Sequence, residues 1–201
     1  MQGIRWYDVV VTGKEAHAGP TPMADRQDPV KGLTAVMQGI YDLADRFSPE
    51  GRATIGDITV EPGVINTVPG RATLKVDLRH PQADLLFHMD RYLHDLVEDV
   101  NHMPGLEAEF HEIWHSAPAA FDQGCISSVR KAAQIIGESS MDIVSGAGHD
   151  AVYVSHVAPT GMIFIPCKGG LSHNEAESIK MEDAAAGANV LLQAVLDQAF
   201  T

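Results

Sequence analysis

Three histidines stand in sequence contexts where an imidazole can do chemistry. His173 lies in a glycine-rich loop shortly after the apolar run at residues 162–165, and ligands collect at the carboxyl ends of strands in an α/β sheet. A neutral imidazole there can complete a metal shell, with a neighbouring carboxylate holding its other ring nitrogen. A lone loop histidine can equally be a solvated residue, so both interpretations stay open.

His149 and His17 have weaker signals. His149 follows Ser145-Gly146-Ala147-Gly148 at the start of a predicted helix, where free N–H groups and the helix dipole favour an anion. It could donate to a developing oxyanion, or the glycines could form only a tight strand-to-helix turn. His17 lies at a predicted strand end between small residues that leave it uncovered.

Arg79 and Asn66 form a candidate carboxylate-binding pair. Arg79 ends a predicted strand, and Asn66 lies in the turn that precedes it. A guanidinium matches a carboxylate in two-point contact, and an asparagine side chain supplies both a donor and an acceptor. The pair therefore suits an amino-acid-like carboxylate. A salt bridge from Arg79 to Asp77 or Glu61 is the alternative.

The remaining motifs indicate little chemistry. His111 and His115 have the four-residue step of a helical two-histidine zinc site, but they fall in a predicted strand, about 13 Å apart at roughly 3.3 Å per residue. The sequence contains neither a Gly-x-Ser-x-Gly motif nor a phosphate-loop motif. This argues against a serine hydrolase of the Gly-x-Ser-x-Gly type and against a phosphate-loop nucleotide-binding protein. We expect five further histidines to be solvated: His80, His88, His94, His102 and His156.

The composition limits the partners. The 201 residues carry 14 Lys and Arg against 27 Asp and Glu, a formal net charge of −13. Nucleic acid and anionic membrane surfaces are therefore not expected partners, because both are bound by clustered cations. No apolar run reaches the roughly 20 residues of a membrane span, and the start lacks a signal-peptide pattern. The sequence has only two cysteines, and they are far apart. A disulfide framework is therefore not expected, which predicts a reducing, cytoplasmic location.

The hydrophobic pattern predicts a first domain over residues 1–117. Strands are expected at residues 5–16, 54–60, 72–79 and 106–114, and amphipathic helices at residues 28–47 and 82–100. This β-α-β-β-α-β order is that of the ferredoxin-like α+β unit.

A second, α/β-type segment is predicted over residues 118–201. Helices at residues 125–136, 149–157 and 181–199 alternate with short strands at residues 141–144 and 161–166. The run 162–165 is apolar on both faces, as a central buried strand would be. Because two strands make a thin core, we expect part of this domain to lie outside the sequence.

Five motifs in order resemble the amidase branch of the aminoacylase/carboxypeptidase metallohydrolase superfamily. That branch holds N-carbamoyl-L-amino-acid hydrolases, β-ureidopropionases and allantoate amidohydrolases. The motifs are Glu15-Ala16-His17-Ala18-Gly19-Pro20-Thr21-Pro22-Met23, Asn66-Thr67-Val68-Pro69-Gly70, Asp77-Leu78-Arg79-His80-Pro81, Gly146-Ala147-Gly148-His149-Asp150-Ala151 and Gly169-Gly170-Leu171-Ser172-His173-Asn174-Glu175.

The resemblance implies a catalytic α/β domain with two divalent metal ions, zinc or manganese, and a ferredoxin-like lid that forms a homodimer. Residues 1–117 would be the lid, and residues 118–201 the C-terminal part of the catalytic domain. His173 matches the last metal ligand and His149 a substrate-contacting position. His17, Asn66 and Arg79 match lid residues that reach across the dimer, with His17 catalytic in polarising the scissile group and the others binding substrate.

The implied reaction is attack of a metal-activated water on a ureido or amide carbonyl, with a glutamate moving the proton. The substrate would be an N-carbamoyl-L-amino acid, β-ureidopropionate or allantoate. The family's other metal ligands and its general base have no counterpart in the sequence, so we expect the isolated chain to bind metal incompletely and to be inactive. The second hypothesis is a non-catalytic dimerisation or carboxylate-binding module using Arg79 and Asn66.

Overall fold

The computed structural model describes residues 1–200. The chain divides into two compact units, one of Gln2–Pro118 and one of Met1 with the residues from Ala119 onward. Each unit has its own cluster of buried side chains.

The first unit is a four-stranded antiparallel sheet against which two helices pack. In chain order its main elements are β1 (Gly3–Thr12), α1 (Pro29–Arg46), β3 (Arg52–Glu61), β5 (Arg71–His80), α2 (Ala83–Asn101) and β6 (Glu107–Ser116). Two short strands, β2 (Ala16–His17) and β4 (Thr67–Val68), form a separate ribbon. The strand order in the main sheet is β3-β5-β1-β6.

Alternation along β5 separates a buried face from a polar one. Its core-facing residues are Ala72, Leu74, Val76 and Leu78, and the intervening residues carry the polar side chains, as the period of two requires. The helices cover this core with the stripes predicted from the sequence, including Leu33 and Ile40 on α1 and Met89 and Leu93 on α2. The Asp28 carboxylate accepts from the Val30 N–H and fixes where α1 begins.

The predicted strand at residues 5–16 is shorter in the structure. The Gly13 N–H donates to Gly70 O and the Lys14 N–H to Gln27 O, both at 2.9 Å, which turns the chain away from the main sheet after Thr12. A side chain at position 13 would meet Gln27 O at 2.1 Å, so only glycine fits this close approach. Residues 16–17 therefore pair in the ribbon instead.

The prediction that His80 is solvated is wrong. The side chain is 2% exposed because position 80 continues the core-facing alternation of β5. Its Nδ1 accepts from the Gln82 N–H at 3.0 Å, and its ring meets Phe47 edge-on with centroids 6.2 Å apart. The other four histidines expected at the surface are exposed.

The second unit is helical between residues 119 and 200. It contains α3 (Gln123–Ile136), the short α4 (Ala151–Ser155) and α5 (Met181–Ala199). Helices α3 and α5 pack through Ala132, Ala133, Val190 and Ala194. None of the helices within residues 1–200 is long and apolar enough to cross a bilayer.

The predicted strands at residues 141–144 and 161–166 are absent from the described chain, and the predicted helix at 149–157 shortens to α4. A strand needs backbone partners on a neighbouring strand, and no strand occurs between residues 119 and 200. Ile163 instead packs against the α3–α5 core, whereas Phe164 is 45% exposed. An apolar groove of about 730 Å³ runs beside Ile163, Ile165 and Leu191.

We predict that Leu93→Ala lowers the free energy of unfolding of the first unit by about 2–5 kcal/mol, because it leaves a cavity between α2 and the sheet. Leu93 is fully buried, whereas Phe87 on the same helix is 51% exposed. The matched control Phe87→Ala should therefore cost much less. Urea unfolding followed by circular dichroism measures both, and equal losses would contradict this packing.

Candidate functional site

The β2–β4 ribbon positions His17 and Asn66. His17 lies opposite Thr67 in this antiparallel pair, and the Ala18 N–H donates to Asn66 O at 2.9 Å. Both side chains are exposed. The ribbon thus presents an imidazole and a carboxamide together at one end of the first unit.

A backbone hydrogen bond sets the tautomer of His17. The Gly19 N–H donates to His17 Nδ1 at 3.1 Å, so Nδ1 must be the unprotonated nitrogen. In a neutral imidazole the proton then resides on Nε2. The exposed ring is therefore prepared to donate one hydrogen bond through Nε2, for example to a carbonyl oxygen.

Arg79 lies in a two-point salt bridge with Asp77. Its Nε donates to Oδ1 at 2.9 Å and its Nη2 to Oδ2 at 2.6 Å, and this hydrogen bonding to the Asp77 carboxylate raises the pKa of the guanidinium. The Asp77 alternative of the sequence analysis is thus present in the structure. Glu61 instead lies 3.8 Å from Arg71. With its side chain 27% exposed, Arg79 is fixed in orientation at the sheet surface.

The structure does not bring Arg79 together with His17 and Asn66 within one copy of the unit. The ribbon is attached at the Arg71 end of β5, because the Gly13 N–H donates to Gly70 O and the Gly70 N–H to Glu61 O. Arg79 lies eight residues further along β5, which is about 26 Å at roughly 3.3 Å per residue. The two groups therefore occupy opposite ends of the sheet.

His149 lies in the second unit just before α4. Helix α4 begins at Ala151, two residues after His149, and the His149 carbonyl oxygen accepts from the Val152 N–H at 3.0 Å. The ring meets Phe164 edge-on with centroids 5.6 Å apart, and Nε2 is buried without a hydrogen-bond partner among the described residues. Sequence analysis missed Phe164, since its contact joins segments that no local spacing relates.

His173 is exposed in the loop between α4 and α5. Its backbone is left-handed, with φ +55°, an uncommon conformation for a non-glycine residue. The His173 N–H donates to Glu177 Oε2 at 3.1 Å. Sequence analysis missed Glu177, although an acidic residue four positions after a loop histidine was a usable signal.

The side chains within residues 1–200 do not by themselves fit a catalytic metal. No group of three or more His, Cys, Asp and Glu side chains there is placed to hold an ion, whereas a catalytic zinc takes about three protein ligands. His173 is the single ligand predicted from the sequence. We therefore assign no chemical step to a metal held by this chain alone.

Comparison with known proteins decides the family. The sequence model of peptidase family M20/M25/M40 matches residues 7–197 of the chain. The chain belongs to this family. This membership, with the relatives below, confirms the resemblance on which the sequence analysis relied.

Several of the similar proteins are amidohydrolases or amidases by name. An N-carbamoyl-L-amino-acid amidohydrolase from Rhizobium meliloti is 38% identical over 198 residues, 98% of this chain and 48% of the relative. An allantoate amidohydrolase from Bacillus subtilis is 32% identical over 200 residues, again 98% and 48%. A hydantoinase/carbamoylase family amidase from Burkholderia vietnamiensis has a crystal structure with TM-score 0.92 and 46% identity, covering 98% of this chain and 48% of that one. The chain spans about half the length of the curated relatives it matches.

We predict that His17 carries its neutral-state proton on Nε2 at alkaline pH, because Nδ1 accepts from the Gly19 N–H. Long-range ¹H–¹⁵N correlation spectra distinguish the two tautomers, and the exposed His156 provides a reference ring. A predominant Nδ1–H form at position 17 would contradict the hydrogen bond.

Proposed function

We propose that the chain is part of a metal-dependent amidohydrolase that cleaves the ureido or amide C–N bond of N-carbamoyl-amino-acid-like substrates. The observation that carries this proposal is the family match over residues 7–197, together with relatives named for hydrolysis of N-carbamoyl-L-amino acids and of allantoate. Both substrate classes present a carboxylate and a ureido group. The substrate is accordingly a small molecule with those two groups.

The first unit is proposed to be the ferredoxin-like lid, through which the protein forms a homodimer. Its chain order of two β-α-β halves and its strand order β3-β5-β1-β6 support that assignment. The residues from 119 onward are proposed to be the C-terminal part of the catalytic α/β domain. The unpaired apolar run 162–165 and the groove beside it fit a sheet whose other strands come from the portion of the relatives that this chain does not span.

Arg79 is proposed to bind the substrate carboxylate. The salt bridge with Asp77 holds the guanidinium plane in one orientation, which lowers the entropy lost when a planar anion docks. A substrate carboxylate then competes with or complements Asp77 at the fork. The charge of Arg79 persists at any physiological pH, because hydrogen bonding to Asp77 raises a pKa that is already high.

His17 and Asn66 are proposed to act on the scissile group. The His17 Nε2–H can donate to the carbonyl oxygen as negative charge develops there, while Gly19 holds the imidazole in that tautomer. The exposed carboxamide of Asn66, the residue directly before β4, is proposed to supply a second donor. In the second unit, His149 is proposed as a substrate contact and His173 as a metal ligand.

The remaining metal ligands and the general base are proposed to come from outside these residues. We predict that the purified chain, incubated with zinc or manganese and then dialysed, retains less than one ion per chain and does not hydrolyse N-carbamoyl-L-amino acids, because a catalytic site needs about three protein ligands. Metal analysis and an ammonia-release assay check this. Stoichiometric metal with turnover would contradict it.

Complementation tests the function itself. The chain is mixed with a separate polypeptide corresponding to the portion of the Rhizobium meliloti relative that it does not span. We predict metal-dependent turnover, and Arg79→Ala should raise KM for an N-carbamoyl-amino acid by roughly 10–100-fold, the loss of a charged hydrogen-bonded contact. Arg71→Ala, at the other end of the same strand, is the matched control and should change KM little.

The outcomes of this mixture separate the two hypotheses. A well-folded mixture that stays inactive, with carboxylate binding by the chain abolished in Arg79→Ala, would replace the hydrolase with a carboxylate-binding module. Equal KM effects of Arg79→Ala and Arg71→Ala would contradict the role given to Arg79.

A further inference from the structure

A small pocket lies in the first unit where α1 ends, β5 ends and α2 begins. Its volume is about 240 Å³, whereas sites for drug-sized molecules occupy about 300–1,000 Å³. The pocket therefore suits a smaller molecule. Its lining includes a cation, a carboxylate, a buried imidazole and three apolar side chains, namely Arg46, Glu50, His80, Phe47, Pro49 and Leu85.

His80 supplies a hydrogen-bond donor to this pocket. Its side chain is 2% exposed, and its Nδ1 accepts from the Gln82 N–H at 3.0 Å, so the proton of the neutral imidazole is on Nε2. That is the single hydrogen bond of the ring within residues 1–200. Nε2 is also not among the unpartnered buried atoms of those residues that are sealed from solvent, so it opens onto the pocket that His80 lines. A buried donor without a partner costs free energy, which a ligand acceptor would recover.

The two charged residues of the pocket are not neutralised by protein groups. Neither Arg46 nor Glu50 takes part in a salt bridge with any other residue between 1 and 200. The Arg46 guanidinium lies instead over the Tyr92 ring, 4.6 Å from its centroid. Stacking of this kind orients the planar group and keeps its N–H edge available for a carboxylate. Two opposite charges that line one pocket without pairing are complementary to a ligand that carries both signs.

The apolar part of the pocket is formed by side chains from two elements. Phe47 and Leu85 are each half-buried, one directly after α1 and the other on α2. The Phe47 ring also meets the His80 ring edge-on. An apolar ligand group placed here would remove water from both side chains, which favours binding.

Local hydrogen bonds hold the rim of the pocket in place. The Gly51 N–H donates to Phe47 O at 2.7 Å, and a Cβ on Gly51 would lie 2.6 Å from the Cβ of Phe47, so only glycine closes this turn. The Arg52 Nη1 donates to Pro49 O and to Gly51 O. Because the rim is already ordered, it loses little conformational entropy when a ligand binds.

We propose that this pocket binds a small zwitterionic α-amino acid with an apolar side chain. The ligand carboxylate contacts Arg46 and the His80 Nε2–H. The ligand ammonium contacts Glu50, and its side chain packs against Phe47 and Leu85. An α-amino acid carries all three groups on one carbon atom, as a pocket of this size requires. The amino acid that hydrolysis of an N-carbamoyl-amino acid releases is of this class, and that link alone rests on the function proposed above.

The pocket lies on the opposite face of β5 from Arg79. Successive side chains of a strand point to opposite faces, so His80 faces the core side with Leu78, whereas Arg79 and Asp77 face the other side. Arg79 is not one of the residues that line the pocket. Ligand binding here can therefore be measured separately from carboxylate binding by Arg79.

Calorimetric titration with L-leucine tests the site. One molecule should bind per chain with a dissociation constant of about 1 mM or lower. The analogue 4-methylpentanoate lacks the ammonium group and should bind about tenfold more weakly or worse, because Glu50 then has no cation to pair with. Both compounds are also titrated into Arg79→Ala, which should bind L-leucine as tightly as the unchanged chain does.

Neutralising the two charges tests the assignment residue by residue. Arg46→Gln and Glu50→Gln should each raise the dissociation constant for L-leucine about tenfold, because each removes one charged contact. The matched controls are Lys31→Gln near the start of α1 and Glu98→Gln on α2, both exposed and outside the pocket. They should leave the dissociation constant unchanged.

Nuclear magnetic resonance of the histidine rings gives a readout that needs no variant. In long-range ¹H–¹⁵N spectra, L-leucine should shift the Nε2 resonance of His80, because the Nε2–H gains an acceptor. The resonances of the exposed His156 ring should stay where they are.

The inference is overturned if L-leucine does not bind saturably, if 4-methylpentanoate binds equally well, or if the pocket variants behave like their controls. Loss of L-leucine binding in Arg79→Ala would also overturn it, because the ligand would then belong to Arg79. None of these measurements uses enzymatic activity. Their failure leaves the proposed amidohydrolase standing, and an inactive complementation mixture leaves this inference standing.

Discussion

The rigid length of β5 constrains every assignment in the first unit. One face of the strand is committed to the core through Leu74 and Leu78, so its functional side chains must lie on the other face or at its ends. Hydrogen bonds at Gly70 fix the ribbon at one end, and Asp77 fixes Arg79 at the other. Because a paired strand cannot shorten, a site that uses both ends has to draw on two copies of the sheet.

His17 and Arg79 each have a defined orientation although neither side chain is enclosed in the core. His17 is held by the pairing of only two residues on each side, but the Gly19 N–H fixes its tautomer. Arg79 is held by a two-point salt bridge rather than by burial. In each case a local hydrogen bond, rather than enclosure by surrounding protein, fixes the orientation of the side chain.

Much of the first unit could be predicted from the sequence, since its signals are local. The alternation through Leu74, Val76 and Leu78 and the stripe of α1 directly reflect which faces are buried. His80 could not be placed, because nothing in its own neighbourhood shows that the alternation of β5 continues through it. The β-bulge at Gly56, where Ile55 lies opposite Val76 and Asp57 opposite Lys75, could not be predicted either. One glycine in a strand pattern does not define the register of the strand.

The second unit was less predictable because its expected strands depend on neighbours that are not local. The run 162–165 has the apolarity of a central strand, but without a paired strand its backbone stays irregular and its side chains lie half-exposed beside α3 and α5. The five motifs together gave the family correctly. Sequence spacing could not supply the partners Phe164 and Glu177, which the fold places against His149 and His173.

The claim on which this account most depends is the proposal that Arg79 of one copy and the His17–Asn66 ribbon of another contribute to one substrate site. Pulsed electron paramagnetic resonance can measure this in a mixture of two singly spin-labelled chains, Lys14→Cys beside the ribbon and Gln82→Cys beside Arg79, with the native cysteines replaced by serine. The account predicts an intermolecular separation of roughly 15–25 Å, shorter than the β5 strand that separates the two groups within one copy. A distance beyond about 40 Å, longer than β5 itself, would contradict it.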